Sequence, residues 1–203
     1  MFRSKPIFLS AVLLSTAACA ADDGLDPDEI GSSEAAISRH ACPDGVPAGL
    51  APAADQDLWF VLGATGVQKY TCAATATGFA WTFVAPEADL FQNGCQVGIH
   101  YAGPTWEHGD GSTVVAARAA GATPDPSAIA WLLLNAVSHG PEAGKMTQVS
   151  SIQRLSTTGG NAPATGCDAD HVGAAADVPY TADYFFYRTR ARHPERNVRC
   201  GAE

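Results

Sequence analysis

Positive charge is scarce in this chain. It carries 12 Lys+Arg against 21 Asp+Glu, a formal charge of -9. Without Arg3 and Lys5, which belong to the N-terminal segment discussed below, ten cations face 21 acids, near -11. So acidic a chain argues against nucleic acid as a partner. Several chemical signatures are also missing. There is no C-x-x-C and no histidine spacing suited to zinc, so no metal is expected. No G-x-G-x-x-G opens a helix after a strand, and no G-x-S-x-G elbow is present. Neither a dinucleotide nor any other cofactor is implied, and no internal repeat is visible. No apolar run reaches the length of a membrane-spanning helix.

The longest apolar run lies near the start. Arg3 and Lys5 precede about a dozen residues from Ile7 to Ala18, the layout of a signal peptide over residues 1–20. Two maturations fit. Ala17-Ala18-Cys19 resembles a lipobox, with Cys19 lipidated and Thr16 where leucine is more typical. Cleavage after Ala18-Cys19-Ala20 fits the small-x-small rule. Residues 21–41 read as a disordered acidic linker, too poor in large apolar side chains to offset ordering. Residues 42–203 then form one domain, long enough for a real core. Export, with a lipid anchor holding the chain to the membrane at the cell envelope, is the expected setting.

Cysteine use agrees with that setting. Cys42, Cys72, Cys95, Cys167 and Cys200 follow the signal and are disulfide candidates in an oxidising compartment. Spacing alone does not fix the pairing. The working assignment is Cys42 with Cys200 and Cys72 with Cys167, leaving Cys95 over. Arg188, Arg190, Arg192, Arg196 and Arg199 cluster in the last sixteen residues and read as a solvated tail, or as a contact to anionic lipid head groups or an acidic partner.

The domain reads as all-β and mainly antiparallel, a β-sandwich or barrel with at most one or two short helices. Leu58–Leu62 is a compact apolar strand. Residues 66–72 alternate, with Gln68, Tyr70 and Cys72 on one face, and pair through a glycine turn with 79–84. Residues 85–88 break the next run. Asn93-Gly94 marks a hairpin between 89–91 and 96–100. Further strands are expected at 112–117, 129–137 (where leucine and alanine also suit a helix) and 180–187, with a hairpin spanning 146–155.

Residues 100–112, H-Y-A-G-P-T-W-E-H-G-D-G-S, set histidines, acids and aromatics between turn-forming glycine and proline, the composition of a site or a tightly bonded turn. His100 and Glu107 could supply acid–base chemistry, with or without a metal; Asp110 and Ser112 equally suit a turn. Of Gln153 and Arg154, strand alternation lets only one face a given pocket. Arg154 suits a carboxylate, or an internal ion pair to Glu87, Glu107 or Asp183. Trp106, among polar neighbours, is the aromatic expected at the surface. The candidate ligand-binding set is Gln68, Tyr70, His100, Trp106, Glu107, Asp110 and Arg154, with a polar or carbohydrate ligand as the best guess. No residue is singled out as catalytic; a hydrolase using His100 and Glu107, and a structural or protein-interaction domain, are the alternatives.

Several motifs occur in order: G-V-Q-K-Y-T-C (66–72), W-T-F-V-A-P-E-A-D-L (81–90), V-G-I-H-Y-A-G-P-T-W-E-H-G-D-G-S (97–112), A-I-A-W-L-L-L-N-A-V-S-H (128–139), I-Q-R-L-S-T-T-G-G-N-A-P (152–163), G-C-D (166–168) and Y-T-A-D-Y-F-F-Y (180–187). They resemble an exported bacterial and fungal family known as domain of unknown function 3455. The chain departs from its pattern at Ala130, where the family often has proline. The resemblance implies a signal peptide and an exported domain, and no activity. Some fungal members carry a malate dehydrogenase label, which nothing in this sequence supports.

Overall fold

The computed structural model of the chain describes Pro43 and residues 45–190. The signal segment with Cys19, the linker 21–41, Cys42, Cys200, Arg192, Arg196 and Arg199 lie outside the described residues. Eight antiparallel strands close into a barrel in sequence order: β1 (Gln56–Thr75), β2 (Gly78–Gln92), β3 (Cys95–Tyr101), β4 (Thr105–His108), β5 (Thr113–Ala122), β6 (Trp131–His139), β7 (Ser151–Gly159) and β8 (Ala175–Thr189). Of the two all-β architectures expected, the barrel is the one formed. The helical content described is three 3-10 turns, Ala48–Leu50, Lys145–Gln148 and Ala169–His171.

A strand is present at each of the single-strand positions expected from the sequence, most of them with longer bounds and β6 shifted by two residues. The apolar 58–62 and the alternating 66–72 are one strand, β1. Pro86, expected to break the chain, lies inside β2 opposite Gln68. Proline is tolerated at an irregular position of a sheet, and one lies close by: the β1–β2 register shifts at Lys69/Tyr70, where Tyr70 pairs with Phe83 and Lys69 with Ala85. That bulge leaves Val84 unpaired, half-turning the wall outward. The 129–137 segment is a strand, and only the second half of the expected 146–155 hairpin is β7. Asn93 and Gly94 both have positive φ, 53° and 79°, as a tight hairpin turn requires. Gly66 has no room for a side chain, since an added Cβ would sit 2.1 Å from the Glu87 carbonyl oxygen; the two long strands approach there as the sheet curls.

Strand alternation sends Phe60, Leu62 and Ala64 of β1, and Tyr180, Ala182, Tyr184 and Phe186 of β8, into the barrel. They meet Leu90, Trp106, Val114, Leu134 and Ile152 there. β8 is buried on its other face too. Phe185 and Tyr187 pack with Leu155 beneath Leu50, which the segment before β1 lays over the outer wall. This explains a strand that reads Y-F-F-Y rather than alternating. Gln153 belongs to that outer layer: its Nε2 donates to the Leu50 carbonyl at 2.6 Å and its Oε1 accepts from Tyr187 Oη at 2.6 Å.

The Cys72–Cys167 disulfide ties β1 to the loop before β8, as expected. Cys95 is disulfide-bonded as well, correcting its assignment as the leftover thiol. Arg188 and Arg190 are held against the barrel rather than free in solvent. Arg188 stacks over Trp59 at 3.6 Å, and Arg190 pairs with buried Asp57 at 3.0 Å.

Candidate functional site

One mouth of the barrel opens on a cavity of about 240 Å³. Its inner wall carries Gln68 from β1, His100 from β3, Trp106 from β4, Arg154 from β7 and Tyr184 from β8. Antiparallel pairing makes this convergence. His100 lies opposite Trp106, and Arg154 opposite Tyr184, so both pairs face inward together. Leu132 and Leu134 of β6 add apolar surface. Phe83 and Val84, consecutive residues that a regular strand would separate, both reach the mouth through the β2 bulge, exposed at 51% and 58%.

His100 is 3% exposed and stacked on Trp106 at 4.1 Å, with Tyr184 edge-on at 5.4 Å. Its Nδ1 sits 2.8 Å from the Thr105 carbonyl oxygen. A carbonyl only accepts, so the proton is on Nδ1 and Nε2 keeps its lone pair. Burial, reinforced by the Arg154 charge, lowers the ring's pKa to about 3 against the opposing Thr105 bond. The imidazole is therefore neutral at neutral pH and a weak base.

Trp106 is 1% exposed, on a strand and not in a loop. The expectation of a surface position fails because β4 is only four residues long, too short for its alternation to stand out among polar neighbours. Its indole Nε1 has no hydrogen-bond partner, and Nε2 of Gln68, itself 3% exposed, makes no bond of good geometry, with the Tyr180 hydroxyl as the polar group near it. Arg154 donates through Nε and Nη2 to the Ala130 carbonyl at 3.1 and 2.8 Å. It forms no ion pair with Glu87, Glu107 or Asp183. Glu87 pairs instead with Lys69. Tyr70 shares the Gln68 face; it donates to the Gly160 carbonyl at 2.6 Å and meets Phe83 edge-on, supporting the wall from behind.

Three expected members do not line the cavity: Tyr70 lies behind its wall, and Glu107 and Asp110 are elsewhere. Glu107 follows Trp106 on β4 and so points to the opposite face of the wall, where it accepts from Tyr101 Oη at 3.0 Å. His100 and Glu107 therefore cannot act as an acid–base pair. Asp110 closes the β4–β5 turn. Its Oδ1 accepts from Ser112 N and Oγ, and its Oδ2 from Lys145 N at 2.9 Å. Ser112 Oγ in turn accepts from Met146 N at 3.0 Å. Burial opposes the charge on Asp110, but these bonds and nearby His108 outweigh it and hold the carboxyl well below its ordinary range. Among the described residues, no group of three or more His, Cys, Asp or Glu is placed to hold a metal ion.

Sequence reasoning missed Arg118 and the β6 leucines, and left Tyr184 out of the candidate set. Arg118 had a readable signal: it is a lone cation in the small-residue run V-V-A-A-R-A-A. Tyr184 was hidden in an aromatic run that reads equally as core.

The fold and cavity define a closed antiparallel barrel whose inner wall, rather than its loops, carries the polar groups. The chain belongs to the family described as Protein of unknown function (DUF3455), matched over residues 52–188. No curated protein and no solved structure matches it.

Proposed function

We propose that this chain is an exported binding protein that holds one small molecule inside its barrel. The carrying observation is the pair of buried donors without a well-placed partner, Trp106 Nε1 and Gln68 Nε2, both on residues that line the cavity. Native interiors rarely leave such groups unpaired, because each costs about 1–3 kcal/mol. An occupant bearing acceptors recovers that cost. A carbohydrate fits less well than first expected, since its hydroxyls need acceptors and this wall supplies mainly donors. The hydrolase reading loses its base, because His100 has a pKa of about 3 and Glu107 faces away. The disulfide suits an oxidising compartment, and the lipobox-like Cys19 suits a tether to the envelope membrane.

Saturation-transfer NMR of the full chain with benzyl alcohol tests the cavity. Val84→Trp, placed at the exposed mouth, is expected to abolish the signal without disturbing the core. An unchanged signal in that variant would place the binding elsewhere and overturn the reading.

A further inference from the structure

We propose that the barrel takes a small amphipathic monoanion, a carboxylic acid carried on one aromatic ring or a short alkyl chain. This rests on the cavity reading above and names its occupant.

Charge is the first argument. The chain is strongly acidic, yet two of its few cations, Arg118 and Arg154, line the cavity and no Asp or Glu does. Arg154 donates to the neutral carbonyl of Ala130 and reaches the neutral hydroxyl of Tyr184, and meets no anion. Arg118 makes no hydrogen bond or ion pair among the described residues. Arg154, half-buried in a confined, largely apolar wall, is costly until an anion answers it, and Arg118, exposed at the mouth, adds its charge to the entrance. The Arg154 charge reaches the neighbouring groups. It adds to burial in depressing His100, and works against burial at Tyr180 and Tyr184. Nothing negative in the cavity cancels it.

Hydrogen-bonding capacity is the second argument. Trp106 Nε1 and Gln68 Nε2 are donors without a well-placed acceptor. Added to two guanidinium forks, they make a wall short of acceptors, the complement of a carboxylate, which accepts through two oxygens and donates through none. The planar fork of arginine matches that group in shape as well.

Shape and polarity set the rest of the molecule. Beyond the donors the lining is Phe83, Val84, Pro86, Leu132 and Leu134, an apolar seat for a ring or chain. At about 240 Å³ the cavity falls below the roughly 300–1,000 Å³ of most small-molecule sites, which excludes a long lipid chain.

Isothermal titration of the full chain tests this with benzoate, benzyl alcohol and inorganic phosphate, on wild type, Arg118→Gln and Arg154→Gln. Benzoate is expected to bind about ten- to a hundredfold tighter than benzyl alcohol. Each variant is expected to remove most of that margin. Arg118 is exposed and bonds to nothing described, so its variant keeps the test valid even if Arg154→Gln does not fold. Equal affinity for benzoate and benzyl alcohol overturns the anion and leaves the cavity reading standing. Phosphate binding as tightly as benzoate overturns the amphipathic part. Binding of neither organic probe overturns both.

Discussion

The segment 100–112 contains two polar clusters built from similar residues, and they behave in opposite ways. At its C-terminal end, Asp110, Ser112 and the amides of Lys145 and Met146 form a closed set in which each named donor has an acceptor. At its N-terminal end, His100 is anchored to Thr105, while the Trp106 beneath it leaves its N–H unpaired beside the half-engaged Arg154. Composition does not separate the two. Satisfaction does. A saturated polar cluster has spent its hydrogen bonds on holding the chain together. An unsaturated one inside a core holds free energy that an outside group can release. The first half of the segment is thus the candidate site and the second half is the weld that keeps β4, β5 and the Lys145–Gln148 turn in place.

That contrast can be broken most forcefully at Asp110. Asp110→Ala removes the acceptor for Ser112 and Lys145 and is expected to cost about 3 kcal/mol in a urea titration. Benzyl alcohol binding by the folded fraction should be unchanged; a parallel loss of binding would merge the two halves into one functional unit. The next effect is acid sensitivity arising at His100. Its folded pKa of about 3 lies below the ordinary 6.5, so across that interval the unfolded chain takes up the proton. Stability is full above pH 6.5 and falls as the pH drops toward 3, by about 1.5 kcal/mol between pH 6.5 and about pH 5. His100→Phe should flatten that interval in pH-dependent denaturation. Asp110 contributes only lower down, because a depressed carboxyl loses its stabilisation below its ordinary value of 3.8. The smallest effect sharpens the assignment of faces. Glu107→Gln, on the outer wall with a surviving acceptor for Tyr101, should change stability by less than about 0.5 kcal/mol and leave binding intact. A drop in binding in that variant would return Glu107 to the site.

The sequence carried the strands well because local pattern decides them. Asn93-Gly94 could hardly be anything but a tight hairpin, and the alternation at 66–72 places Gln68 and Tyr70 on one face as observed. What it carried poorly is closure. Whether eight strands make two sheets or one ring depends on β1 finding β8, a pairing between residues more than a hundred positions apart. The site followed the same rule. His100, Gln68 and Arg154 were legible as unusual polar residues, but whether Glu107 or Trp106 joins them depends on one step of alternation in a four-residue strand. Pro86 misled for a related reason: the bulge that accommodates it is created by the partner strand's register and not by its own neighbours.

The β1–β8 seam has a consequence for how the chain comes to exist at all. It runs from Gln56 with Thr189 to Thr71 with Ala175, so the first strand made must wait for the last. Contacts of that sequence range place a domain among the slow folders, in roughly milliseconds to seconds. Until β8 arrives, β1 offers a bare edge some twenty residues long to any other chain nearby. Once the seam shuts, the ring has no edge left to offer, and whatever recognises the finished protein must do so through side chains, turns or the mouth.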